Sequence, residues 1–341
     1  MRAPLYFILS GISGVLVFVW SVLGVAFSLN PDYGTAAIYY RNNSLVRVGP
    51  IEGNRDYRAF MLSSKPPSTT PNMAICRFIP SSLQGTFNIC TPPAAIADTE
   101  ILLRALQSSV AAHLGTSFCY AELILHDPSQ GDWYQRDVVQ ESLNRIGLRQ
   151  AMKGVPVLPT SSLAVYANIQ FPIARTDMPQ AALSIEFSRW GMSAAVFCVD
   201  QLVPEEQRRE TITFSDKKSA SGLEDSPEED AARQTEASEA LRHISTPPLE
   251  SCSGVGDMPD EIQVLILHGD SVRDAGFVDL LIDLFGSRLV KEAYDFDPIH
   301  ASAVAGARAS LENMELINLE EPAAFGYRWM SKLYRDRNQE L

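Results

Sequence analysis

The sequence predicts an α/β fold carried behind one N-terminal apolar span. Three observations predict it. Short β-branched runs such as Val264 to Leu267 lead into helical patterns, here Phe277, Leu280, Leu281, Leu284 and Phe285 at three-to-four spacing. Turns built on glycine beside polar residues follow three such runs: Asp32-Tyr33-Gly34-Thr35, Glu186 to Gly191, and His268-Gly269-Asp270-Ser271. No charge separates Arg2 from Asp32, and Leu5 to Leu29 is almost wholly apolar.

A helix needs about 20 apolar residues to cross a bilayer, more than a secretory leader's apolar core, so Leu5 to Leu29 reads as a transmembrane signal anchor. A cleaved leader ending near Ala26-Phe27-Ser28 is the alternative. The single Asn42-Asn43-Ser44 sequon suits a lumenal or extracellular C-terminal side in the secretory pathway, with Asn42 as glycosylation acceptor. The 341 residues carry 28 basic and 41 acidic side chains, a net charge of −13, which speaks against nucleic acid as partner. The five cysteines form no Cys-x-x-Cys or Cys/His cluster, so no metal site is expected. Cys76 and Cys90 can pair in an oxidising compartment, whereas Cys119 and Cys198 read as buried small hydrophobes.

Along the chain, Ala37 to Tyr40 and Leu45 to Val48 form a predicted hairpin around Arg41 to Ser44. Ser63 to Pro93 is Pro- and Ser-rich loop. A helix is predicted from a cap at Asp98 to Leu114, with Ile101, Leu102, Leu106, Val110 and Leu114 inward. A strand over Phe118 to Leu125, a helix over 132–146, a strand over Val155 to Leu158 and a helix from Thr160 to Asn168 follow. Gln180 to Asp200 reads as two strands around a turn. Pro204 to Pro259 holds 13 acidic and 6 basic residues and few large apolar ones, and is predicted to be a disordered linker, compatible with a short helix over Ala231 to Ile244. Asp297-Pro298 opens an Ala-rich helix whose small residues allow close backbone approach. Pro322 to Leu341 reads as a short basic amphipathic helix, with Phe325, Trp329 and Leu333 on one face, expected to pack on its own domain, with a membrane surface or a partner as the alternative. No internal repeat is evident.

Taken in order, these motifs resemble the superfamily that unites actin, sugar kinases and DnaK-type heat-shock chaperones, and the chaperone branch most. The resemblance covers most of Pro31 to Leu311. It implies a two-lobed actin-like ATPase (ribonuclease H-like) fold with reduced outer lobes. The first phosphate motif is matched by Asp32, Gly34 and Thr35, followed by Gly53-Asn54-Arg55, with Ala36 where a second hydroxyl is usual. The second is matched by Glu186 to Gly191, and the adenosine-side motif by Gly269, Ser271 and Arg273. The resemblance thus makes Asp32, Gly34, Thr35, Glu186, Gly191, Gly269, Ser271 and Arg273 a vestigial nucleotide site for ATP and magnesium. It divides the chain into an anchor (1–29), the first lobe with the start of the second (30–203, with a loop over 63–97), the linker (204–259), the rest of the second lobe (260–321) and the C-terminal helix (322–341).

The departures bear on activity. Ser188, Arg189 and Trp190 replace glycines that would let backbone amides cradle phosphate. Val157 and Leu158 stand where an Asn-Glu pair is usual, Lys65 falls in no motif, and Asp270 replaces a glycine. Only 30 residues follow Leu311, so no substrate-binding domain is expected. The resemblance therefore implies a membrane-anchored pseudo-ATPase that acts as a protein-interaction module. The alternative is a weak Mg-ATP-binding ATPase using Asp32, Thr35 and Glu186.

Overall fold

Two sheets with one shared strand order organise the molecule. The computed structural model describes residues 23–63, 94–126, 133–150, 158–168, 179–199, 204–214, 227–247, 249, 259–293 and 297–316. In the first half β1 (Leu23–Leu29), β2 (Tyr33–Tyr40), β3 (Leu45–Glu52), β4 (Glu122–Leu125) and β5 (Leu158–Pro159) form a five-stranded sheet ordered β3-β2-β1-β4-β5. In the second half β6 (Gln180–Ser188), β7 (Gly191–Val199), β8 (Pro204–Thr213) and β9 (Val264–His268) form a sheet ordered β8-β7-β6-β9. In each, the first three strands make an antiparallel meander and the fourth returns parallel to the first.

Helices α1 (Arg55–Leu62), α2 (Ala94–Leu114) and α3 (Trp133–Arg145) cover the outer face of the first sheet. Leu102, Leu103, Leu106 and Val110 of α2 share one core with Phe27, Leu29, Ile38 and Leu123. Helices α5 (Pro227–Ser245), α6 (Ala275–Phe285) and α7 (Ser287–Ala293) cover the second sheet in the same way, through Leu241, Ile244, Phe277 and Val290. The two remaining helices are exchanged. Helix α4 (Thr160–Asn168) follows the first sheet and packs Ala164 and Val165 on Ala182, Phe197 and Ile266 of the second. Helix α8 (Ala301–Leu316) follows the second half and packs Ala303, Ala305 and Ala307 on Ala26, Ala37 and Ile124 of the first. The small-residue stripe allows this approach: a Cβ at Gly24 would lie 1.8 Å from the Ala307 carbonyl oxygen, and one at Gly306 would lie 2.3 Å from Ile124.

Several expectations need correction. Leu23–Leu29 is not the end of a membrane helix but the central strand β1, buried on one face by α8 and on the other by α2. A strand buried on both faces reads as a continuous apolar run, which hydropathy cannot separate from a membrane span. Residues 5–22 lie outside the described ones, among which no helix is long and apolar enough to cross a membrane. The predicted disordered linker contains β8 and α5; α5 seats Ala237, Ala240, Leu241 and Ile244 in the core, a stripe outnumbered by charged neighbours. Helix α2 begins at Ala94, so Asp98 is not its cap but accepts a hydrogen bond from Asn54 Nδ2, and Ile101 is 60% exposed while Leu103 is buried. Cys198 is buried as expected but is also disulfide-bonded, and Cys119 is only partly buried. Lys65, Cys76, Cys90 and the 322–341 stretch lie outside the described residues.

Candidate functional site

The carboxyl ends of β1, β4, β6 and β9 meet at one junction between the sheets, the position where open α/β sheets bind ligands. Asn30 to Asp32 connects β1 to β2, and Arg189-Trp190 connects β6 to β7. These two turns touch. Asp32 is 7% exposed and accepts hydrogen bonds from Arg189 Nε at 2.7 Å and from Trp190 Nε1. Arg58, in the first turn of α1, reaches the same carboxylate at 2.5 Å. Both guanidiniums lie over the Trp190 ring, Arg58 at 5.7 Å and Arg189 at 4.9 Å from its centroid. One carboxylate therefore holds two cations and an indole, and both cations also contact the indole.

Local chemistry fixes the Asp32 turn. Gly53 N donates to the Asp32 carbonyl, Tyr57 Oη donates to the Asn30 carbonyl, and Asn54 caps α1 by accepting from Tyr57 N. Because α1 starts at the end of β3, its first turn delivers Arg58 to Asp32.

Glu186, at 2% exposure, forms the second part of the site. His126, just past β4, places Nδ1 2.7 Å from Glu186 Oε1, and His268, the last residue of β9, places Nδ1 3.9 Å from Oε2. His268 Nε2 lies 3.0 Å from Ser184 Oγ. Only His126 is within hydrogen-bond reach of the buried carboxylate; His268 faces it at ion-pair distance. The two histidines end identical tetrapeptides, Leu123 to His126 and Leu265 to His268, on equivalent fourth strands. This is an internal repeat that the sequence reading did not identify.

The third turn closes the site. Gly269 has φ 109°, and a Cβ there would meet the Phe187 carbonyl oxygen at 2.3 Å, so only glycine fits without strain. Ser271 N donates to the Phe187 carbonyl, and Ser271 Oγ to Asp270 Oδ1. Asp270 is exposed as a residue, and partial desolvation of its carboxyl beside the junction holds it above the usual range, with a smaller contribution from Asp32 against opposing ones from Ser271 and Arg189. Burial also pushes the Tyr33 hydroxyl well up, and Asp270, Glu186 and Asp32 add to it. The junction is thus rich in negative charge wherever Arg58 and Arg189 do not cover it.

Of the residues singled out from the sequence, Asp32, Glu186, Gly269 and Ser271 come together, as the expected convergence of three turns requires. The others do not serve as expected. Gly34 and Thr35 belong to β2, not to the turn; Gly34 sits against Leu106, and Thr35 is buried opposite Ser28. Gly191 begins β7, where a Cβ would meet the Ile212 carbonyl oxygen at 2.3 Å, so its smallness serves β8 rather than a phosphate. Arg273 is exposed in the turn leading to α6. Register also moves the first acid. Leu29 pairs with Leu125 as Ile185 pairs with Leu267, so the counterpart of Glu186 is Asn30, and Asp32 lies two residues beyond it. Arg58, Tyr33, His126 and His268 were missed; the repeated Leu-Ile-Leu-His could have marked the histidines, whereas nothing local marks Arg58.

Among the described residues no group of three or more His, Cys, Asp and Glu could hold a metal ion. No family model matches the chain, and no curated protein matches it.

Proposed function

We propose that the protein is a pseudo-ATPase of the actin-like, heat-shock-chaperone type, held to a membrane and acting as a protein-interaction module. The repeated strand order and the exchanged helices α4 and α8 support the two-lobed actin-like fold that the sequence motifs imply. The observation that carries the functional reading is the seating of Arg189 and Trp190 on Asp32. A triphosphate at this junction would need backbone amides in a tight turn and free cations. Here side chains fill the turn, and both guanidiniums are engaged by a carboxylate.

The energetics favour the filled state. Each charge-assisted hydrogen bond to phosphate contributes ~1.5–3 kcal/mol. Losing two to four of them removes much of the ~8 kcal/mol that micromolar affinity requires. The cystine at Cys198 supports an oxidising compartment, and the 18 residues from Leu5 to Val22 remain a stretch of membrane-spanning length, so the folded part is assigned to the lumenal side.

Isothermal calorimetry of the full chain in detergent, with ATP and with or without magnesium, tests the reading. No micromolar binding and no turnover above background are expected. Magnesium-dependent micromolar binding, with turnover abolished in Asp32→Ala, would establish the weak-ATPase alternative instead.

A further inference from the structure

We infer that Asn42 carries an N-linked glycan, placed on the end of the molecule remote from the junction. The inference rests on the lumenal placement proposed above and not on the state of the junction. Asn42-Asn43-Ser44 is the only Asn-x-Ser or Asn-x-Thr sequence in the chain. It forms the tip of the β2–β3 hairpin, and residues 41–44 are all exposed. Asn43 adopts φ 63°, a left-handed conformation that asparagine tolerates, so the tip is a tight turn. Asn42 Oδ1 accepts from Ser44 N at 3.0 Å and from Ser44 Oγ at 2.6 Å. The carboxamide is thereby fixed through its oxygen, and its nitrogen, the atom that is modified, donates to none of the described residues.

Two further observations bear on it, the first through that same lumenal placement. The disulfide at Cys198 fits an oxidising compartment, the setting in which N-glycosylation occurs. Position matters as well. Leu23 pairs with Tyr40 at the tip, whereas Leu29 pairs with Gly34 beside Asp32. Residues 33–40 at ~3.3 Å each separate the glycan from the junction by roughly 23 Å. A bulky sugar at the tip leaves Asp32, Glu186 and the lobe contacts untouched. In the transfer, Asn42 Nδ2 forms a bond to the anomeric carbon of a lipid-linked oligosaccharide. The bond from that carbon to the diphosphate oxygen breaks, the lipid diphosphate leaves with the electron pair, and the amide loses a proton.

The test is translation of the full chain with endoplasmic-reticulum microsomes, read by gel mobility before and after glycosidase and by protease protection. The unmodified sequence and Ser44→Thr should each give one glycosidase-sensitive band. Asn42→Gln and Ser44→Ala should lose it completely. A protease-protected chain with no shifted band overturns the glycan while leaving the lumenal placement standing. A shift that survives Asn42→Gln overturns the site. An unprotected, unshifted chain overturns both, and none of these results bears on ATP binding.

Discussion

The two halves share one strand order but differ at the hairpin that faces the junction. In the first half three residues, Asn30 to Asp32, link the ladders and end in a carboxylate. In the second half two residues suffice, and both carry large donor side chains, Arg189 and Trp190. The longer turn forms a socket and the shorter one a plug. The same inequality recurs one strand over. His268 is buried beside Ser184, whereas the side chain of its counterpart His126 is 24% exposed. A duplicated unit need not keep two equal sites; small changes in turn length and side chain can make one copy the ligand of the other.

Breaking the plug should have the largest effect. Trp190→Ala removes a side chain that is 9% exposed, two cation contacts and a donor to Asp32. It should lower unfolding free energy by about 3–5 kcal/mol in urea titrations; a loss under about 1 kcal/mol would show that the halves do not depend on the plug. The paired histidines sharpen the comparison. His268→Gln should cost ~1–3 kcal/mol because Ser184 and Glu186 are left buried around it. His126→Gln should cost less, since water can replace the ring; equal costs in the same titration would erase the predicted asymmetry.

The smallest effect concerns pH. Asp270 has a folded pKa raised above its ordinary 3.8, chiefly by partial desolvation, and because the residue is exposed the effect is small. A raised acid binds its proton more tightly when folded, so its charge opposes folding once pH exceeds the raised value, and has no such effect below 3.8. Asp270→Asn should therefore raise the melting temperature slightly near neutral pH and leave it unchanged just below 3.8. A fall near neutral pH would mean that attraction to Arg189 outweighs desolvation.

Much of this was legible in the sequence because glycine turns after apolar runs locate strand ends. The meeting of Asp32, Glu186 and Gly269 was implied by the family resemblance that three such turns, in the right order, carry. The glycines themselves were misread, because a pattern shows that a residue is small without showing what approaches it. At Gly34 the neighbour is Leu106, and at Gly191 it is the Ile212 carbonyl. The apolar run ahead of Asn30 hid β1, since burial on both faces removes the alternation that marks a strand. Charge obscured α5, offered by the sequence only as a short helix over Ala231 to Ile244 inside a disordered linker, because its buried stripe is short. Arg58 could not be found at all: its role depends on α1 turning back across the β1–β2 connection, a long-range contact with no local signature.

The account's central claim is that the second half's turn is bound to the first half's carboxylate in place of a ligand. A double-mutant cycle on Asp32→Asn and Trp190→Phe, read by equilibrium unfolding of the full chain in detergent, tests it most directly, because Phe removes the indole N–H and keeps most of the ring. The account predicts a coupling of about 1 kcal/mol or more; losses that add within ~0.3–0.5 kcal/mol would contradict it.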